Sequence, residues 1–269
     1  MRLGICSWAF DGIMRGRRTA GDLTRAASAA GFQSIEGAYA RRGPLSADQE
    51  PHGDQAVPIA SLATLELHRF PLVAADPVHR RHALGIVAEM IRCADRWSIP
   101  TVSFSPGALP DGPGGPDIGE TLDMLARDLV PLVRQAADRG IGLALENLPG
   151  HVLAQRSTMA ELLDRLPEAG LCLDVGNALA DPPVEQWFDR FAARIVKFHL
   201  SDGHTADGRL VPVELGRGDV DWTVVAPRIR ATDLDAFIEP PLDPSAPGEA
   251  ERLPSLKAAA DEVLGLART

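Results

Sequence analysis

The chain has 269 residues, 45% of them apolar and 24% charged, a balance that builds a globular core and excludes a disordered chain. A formal net charge of -10 opposes general attraction to phosphate backbones, so nucleic acid is not an expected partner. No stretch approaches the roughly 20 unbroken apolar residues of a membrane span. Cys6, Cys93 and Cys172 are odd in number and widely spaced, which fits reduced, packed thiols better than a disulfide framework. Met1 to Phe10 enter strand-like sequence with no signal-peptide layout, so a cytoplasmic protein without membrane contact is expected.

Short apolar runs alternate with longer segments of helical period, the pattern of repeated βα units around a parallel sheet. Leu3 to Trp8 predicts the first strand and Thr19 to Ala30 the helix after it. Ser34 to Gly37 predicts a second strand, whose following connection carries the weakest pattern. Ile59 to Leu65 and Thr101 to Phe104 follow as strands three and four, with helices over Val78 to Trp97 and Ile118 to Arg139. Strands over Gly142 to Leu145 and Leu171 to Leu173 precede helices over Thr158 to Leu166 and Val184 to Ala193. Ile195 to Phe198 and Ala236 to Ile238 complete the strands, before helices over Trp222 to Arg230 and Ala250 to Leu266.

Thr19, Ser157 and Asp221 stand where helix N-caps belong, and Gly31, Gly140 and Gly170 where a helix hands over to the next strand. Eight strands close a barrel, and the length matches the ~250 residues of one such unit. The predicted fold is therefore α/β, a (β/α)8 TIM barrel, in one domain over 1–269. A doubly wound open sheet would place a glycine-rich phosphate turn after the first strand, where this chain has Ser7, Trp8, Ala9 and Phe10. The Pro- and Gly-rich stretches at 106–116 and 240–247 follow strands four and eight, and would be loops at one barrel mouth.

Four ionisable residues stand directly after apolar strand runs: Glu146, Asp174, His199 and Glu239. In a parallel barrel every strand C-terminus reaches the same face, so these four converge. Three carboxylates and an imidazole in a partly dry mouth repel and protonate unless a cation sits among them, which a divalent metal supplies. The oxygen-rich set with a single nitrogen suits Mn2+, Mg2+ or Co2+, with Zn2+ also compatible. Separate strand-end residues, each paired with backbone or Arg, are the bland alternative.

The segments Leu143-Ala144-Leu145-Glu146-Asn147, Leu173-Asp174-Val175-Gly176, His199-Leu200-Ser201-Asp202-Gly203, Leu215-Gly216-Arg217-Gly218-Asp219-Val220-Asp221-Trp222 and Phe237-Ile238-Glu239 resemble successive motifs of the xylose isomerase-like barrel superfamily, the sugar phosphate isomerase/epimerase group. The N-terminal half adds only Cys6-Ser7-Trp8 and Ile35-Glu36. The resemblance implies a metal-assisted isomerase or epimerase acting on a small ketose, sugar acid or cyclitol derivative. It also implies that Glu146 and Glu239, besides ligating, form the acid/base pair that moves a proton through an enediolate. Homodimers or homotetramers are common in the group. Where the family often has a histidine three residues after the second ligand, this chain has Asn177, which can hydrogen-bond a hydroxyl but cannot shuttle protons near neutral pH.

His68 and His151, after the third and fifth strands, are candidate contacts for substrate hydroxyls, and Trp8 could cover the C–H face of a sugar ring. Arg217, in a Gly-Arg-Gly turn, could clamp a phosphate or carboxylate. Asp202 could orient His199 from behind. Lys197, one of two lysines in the chain, shares the inward face of its strand with His199. A counter-ion for nearby carboxylates is its preferred role, ahead of a Schiff-base nucleophile. The alternative functions are a metal-dependent lyase of a keto-cyclitol or dehydroshikimate type, an endonuclease IV-like phosphodiesterase, and a non-catalytic sugar-binding barrel.

Overall fold

The computed structural model describes residues 1–11, 18–40, 45, 55–109, 117–206, 209–241 and 248–266. The outer parts of the two expected mouth loops, 110–116 and 242–247, lie outside the described residues. Eight parallel strands close into a barrel: β1 (Arg2–Cys6), β2 (Ser34–Ala38), β3 (Ile59–Ala63), β4 (Thr101–Phe104), β5 (Gly142–Glu146), β6 (Gly170–Asp174), β7 (Ile195–Leu200) and β10 (Asp235–Ile238). The first and last strands seal it, with Leu3 opposite Ala236 and Ile5 opposite Ile238. Two further strands, β8 (Asp202–Ala206) and β9 (Arg209–Val213), form an antiparallel hairpin apart from the barrel.

The helices follow from local chemistry. In α1 (Ala20–Ala29), Thr19 and Asp22 exchange hydrogen bonds in a capping box. A four-residue helix, α2 (Glu66–Arg69), precedes α3 (Pro77–Trp97), which starts on an Asp76 cap with proline at its first position. Helix α4 (Ile118–Ala137) buries Leu122, Leu125, Leu129 and Val133, a three-and-four spacing that lays one apolar stripe on the sheet. The remaining helices are α5 (Arg156–Arg165), α6 (Glu185–Phe191), α7 (Trp222–Arg230) and α8 (Glu249–Val263). Leu143, Leu145, Leu171, Leu173 and Phe198 join Leu162, Leu163 and Trp187 in one continuous core. Each such side chain contributes about 1.5–3 kcal/mol when fully buried.

Two local expectations change. Ser157 lies inside α5 rather than capping it; Asp181, distant in sequence, accepts the Arg156 N–H at 2.7 Å and takes over the capping task. Gly31 and Gly140 do carry positive φ after their helices, at 84° and 68°. Gly170 instead opens β6, where a Cβ would stand 2.6 Å from the Val196 side chain. It is required by close strand approach, not by a helix end.

Asp202 also has a different task from the one expected. It makes no contact with His199 and gathers the chain that follows the hairpin. Its carboxylate accepts from the N–H groups of Gly216 at 3.0 Å and Val220 at 3.2 Å, and from the Trp222 indole at 2.9 Å. The hairpin and the start of α7 are thereby tied to one buried charge. Asp202→Ala strands these donors and is expected to lower unfolding free energy by roughly 2–4 kcal/mol in denaturant titration. A loss below about 0.5 kcal/mol would show that water replaces the carboxylate without cost.

Candidate metal centre

The side chains facing the barrel interior are unusual for a parallel barrel, where branched apolar residues dominate. Ser34, Glu36, Ser61, Ser103, Lys197 and His199 are all buried. Above them, at the C-terminal rim, the four strand-end residues converge. Glu146 closes β5, Asp174 closes β6, and His199 sits opposite Asp174 and Phe237 in the ladders of β7. Glu239 follows β10 directly, held by its N–H on the Leu200 carbonyl at 2.9 Å. One ligand atom from each of the four lies within 4.8 Å of all the others.

Asp174 is held from behind. Asp174 Oδ1 accepts from Ser201 Oγ at 2.6 Å and the Asn177 N–H at 2.8 Å. The Asn147 amide bridges β5 to β6, donating to the Asp174 carbonyl at 2.9 Å and accepting its N–H at 2.8 Å. His199 Nδ1 faces Glu146 Oε1 at 3.2 Å and Glu239 Oε2 at 2.8 Å. Glu239 Oε2 is buried, yet among the described residues no hydrogen bond is directed to it.

The electrostatics are those of acids crowded around one base. Burial and the Glu239 and Glu146 carboxylates push Asp174 above the usual carboxylate range. Burial opposes ionisation of Glu239 too, but the charges of His199 and Lys197 outweigh it and hold this group low. Burial alone would lower His199; its acidic and thiol neighbours, Cys172, Glu239 and Glu146, raise it well above its ordinary value. The positive charge among the carboxylates therefore falls to the imidazole. An oxygen-rich set with an undirected carboxylate oxygen and a single ring nitrogen fits a divalent cation, which would take over that charge.

A cavity of about 750 Å3 opens above the cluster. Asp174 and Glu239 form part of its floor, Asn177 and Ser201 line one side, and Leu210, Pro212 and Val213 of the hairpin form a wall. Of the residues nominated from sequence, Asn177 borders this space. Trp8 stands edge-on to the His199 ring, with centroids 6.4 Å apart. The rings of His68 and His151 lie tilted by 59° with centroids 5.2 Å apart, and Ser105 Oγ is 2.8 Å from His151 Nδ1. Burial and the neighbouring His68 push His151 down to about 4, so it is a neutral hydrogen-bonding ring at neutral pH. Arg217 is exposed on the loop beyond the hairpin and does not line the cavity.

Lys197 sits beneath the cluster, bound to Glu36 and to Ser61 Oγ at 2.9 Å. Burial pushes its ammonium down to about 7, while the nearby Cys6, Glu239 and Asp235 oppose that shift. Glu36 was not singled out from sequence for any role. Its signal was a lone acid inside the short predicted strand Ser34 to Gly37.

The chain belongs to the xylose isomerase-like TIM barrel family, whose model matches residues 24–258. Among solved structures it is similar to an L-ribulose 3-epimerase, at 15% identity and a TM-score of 0.75 over 98% of this chain and 94% of that one. It is likewise similar to the IOLI protein with a bound zinc atom, at 16% identity and a TM-score of 0.78 over 98% of each chain. A probable 3-DHS dehydratase, AsbF from Bacillus anthracis, matches at 16% identity and a TM-score of 0.72, over 96% of this chain and 98% of that one. No curated protein sequence matches the chain.

A cation bound only by the folded cluster stabilises the fold by mass action, by about 2.7 kcal/mol at a hundredfold excess over Kd. Adding Mn2+ or Co2+ to chelator-treated protein is therefore expected to raise Tm by several degrees. The Glu146→Gln, Glu239→Gln double variant is expected to lose the rise. Equal shifts in both proteins would place the ion elsewhere.

Proposed function

We propose that this chain is a divalent-metal-dependent sugar isomerase of the epimerase type, acting on a small ketose, sugar acid or cyclitol derivative. The observation that carries the proposal is the convergence of two carboxylates, Glu146 and Glu239, on Nδ1 of one imidazole, with Glu239 and Asp174 lining a sugar-sized cavity. The names of similar structures, an L-ribulose 3-epimerase and a D-tagatose 3-epimerase-like protein among them, support the same chemistry.

Glu146, Asp174, His199 and Glu239 would hold the cation, which when bound polarises a carbonyl and acidifies the adjacent C–H. The remaining work belongs to the chain. One of the two glutamates removes the proton on the carbon beside the carbonyl, and the electron pair passes into an enediolate. The other, entering as the acid, returns a proton to the opposite face, so the centre inverts with no net change in composition. Asp174 is fixed by Ser201 and Asn177 and cannot swing to compete for that proton. Asn177, at the edge of the cavity, offers an amide to a substrate hydroxyl. Trp8 closes the far side of His199 with an apolar ring edge.

The test is a panel of free ketoses incubated with Mn2+- or Co2+-loaded protein in D2O, read by NMR. The expected product is the C3 or C4 epimer carrying one deuterium at the inverted carbon. Glu146→Gln and Glu239→Gln are each expected to cut kcat by about 10^2 to 10^4. An unsaturated product formed with loss of water would reassign the site to a lyase, the type of reaction for which the similar dehydratase is named. Turnover unaffected by either substitution would remove the glutamates from the reaction.

A further inference from the structure

Strand β7 sends two residues inward in succession, and both meet one carboxylate of β2. Glu36 Oε2 lies 2.6 Å from Nε2 of His199, and Glu36 Oε1 accepts from Nζ of Lys197. Cys6 Sγ donates to Oε2 and Ser103 Oγ to Oε1, each at 3.4 Å. Glu36, Ser61, Ser103 and Cys6 are fully buried, and Lys197 and His199 are 1% exposed. Neither Glu36 nor Lys197 lines the cavity.

The two nitrogens of His199 thus face different worlds. Nδ1 looks up at Glu146 and Glu239, and Nε2 looks down at Glu36 at 2.6 Å, with Nζ of Lys197 farther off at 3.3 Å. With a cation held among the rim carboxylates, Nδ1 would offer it a lone pair, and Glu36, which only accepts, binds the Nε2–H form of the ring. Serine or backbone oxygen would satisfy the same N–H, but a carboxylate also makes the ring a stronger donor to a cation. A lone buried carboxylate is costly, and the ammonium of Lys197, supported by Ser61, offsets that cost in place.

We propose that Glu36 is the positioning residue of the metal centre proposed above: it fixes the tautomer and aim of His199, and Lys197 is the counter-charge that lets a carboxylate occupy the barrel interior. Lys197 is therefore structural support for the imidazole, not a nucleophile, and the pair acts on the cation only through His199.

The experiment titrates Co2+ into chelator-treated full-length protein and records both affinity and the visible d–d spectrum. Glu36→Ala is expected to weaken Co2+ binding on the order of tenfold to hundredfold and to shift the bands, because ring aim and donor strength both change. Because Glu36→Ala leaves a buried ammonium without its partner, Glu36→Gln combined with Lys197→Met supplies a charge-free pair of similar shape that keeps an acceptor for Nε2–H. That double variant is expected to bind about tenfold more weakly, again with shifted bands. Leu162→Ala, in the α5 core and remote from the rim, is a control for general destabilisation and should leave affinity and spectrum unchanged. Wild-type affinity and an unchanged spectrum in the folded double variant would overturn the assignment of Glu36. No Co2+ binding by the unaltered protein would overturn the metal centre itself, and this inference with it.

Discussion

Three carboxylates cannot remain ionised at a partly dry barrel rim unless positive charge lies among them. His199 is the hinge of that balance. It touches Glu146 and Glu239 above and Glu36 below, so three acidic groups along the barrel axis are coupled to one ring. The rest of the interior answers to this arrangement. Lys197 and the serines of β3 and β4 occupy space that a branched aliphatic would fill in a barrel built only for stability. The molecule gives up apolar packing inside the barrel and recovers it outside, where α3, α4 and the strand faces share a continuous core.

The barrel was readable because its strands carry short apolar runs at regular spacing and its helices carry punctuation that works locally. Thr19 with Asp22, and Asp221 with Thr223, form the caps their positions suggest. Ser157 and Gly170 misled because their roles depend on partners far along the chain. Asp181 reaches across to α5, and Val196 presses on β6. No window of sequence around either residue contains that information.

The same division holds at the rim. Glu146, Asp174, His199 and Glu239 were legible because a polar residue at the end of an apolar strand has one place to go in a parallel barrel. Glu36 was not, although it is as buried as any of them. A single acid within a short predicted strand is equally consistent with an outward residue on the sheet, and only the barrel closure brings Lys197 to it. Asp202 failed in the opposite sense. Its spacing from His199 suggested a partner behind the imidazole, but the chain turns into the hairpin at that point and carries the carboxylate away to Gly216, Val220 and Trp222. That hairpin lacks the long alternating runs that would have announced it.

The hairpin divides labour within one site. Its strands pair with each other and not with the barrel, yet Leu210, Pro212 and Val213 form a wall of the cavity whose floor is strand-borne. The floor and the wall of the cavity are thus carried on separable pieces of backbone, joined at the Asp202 junction. Changes along the hairpin strands therefore reshape the cavity wall while the strand-end cluster keeps its register in the barrel.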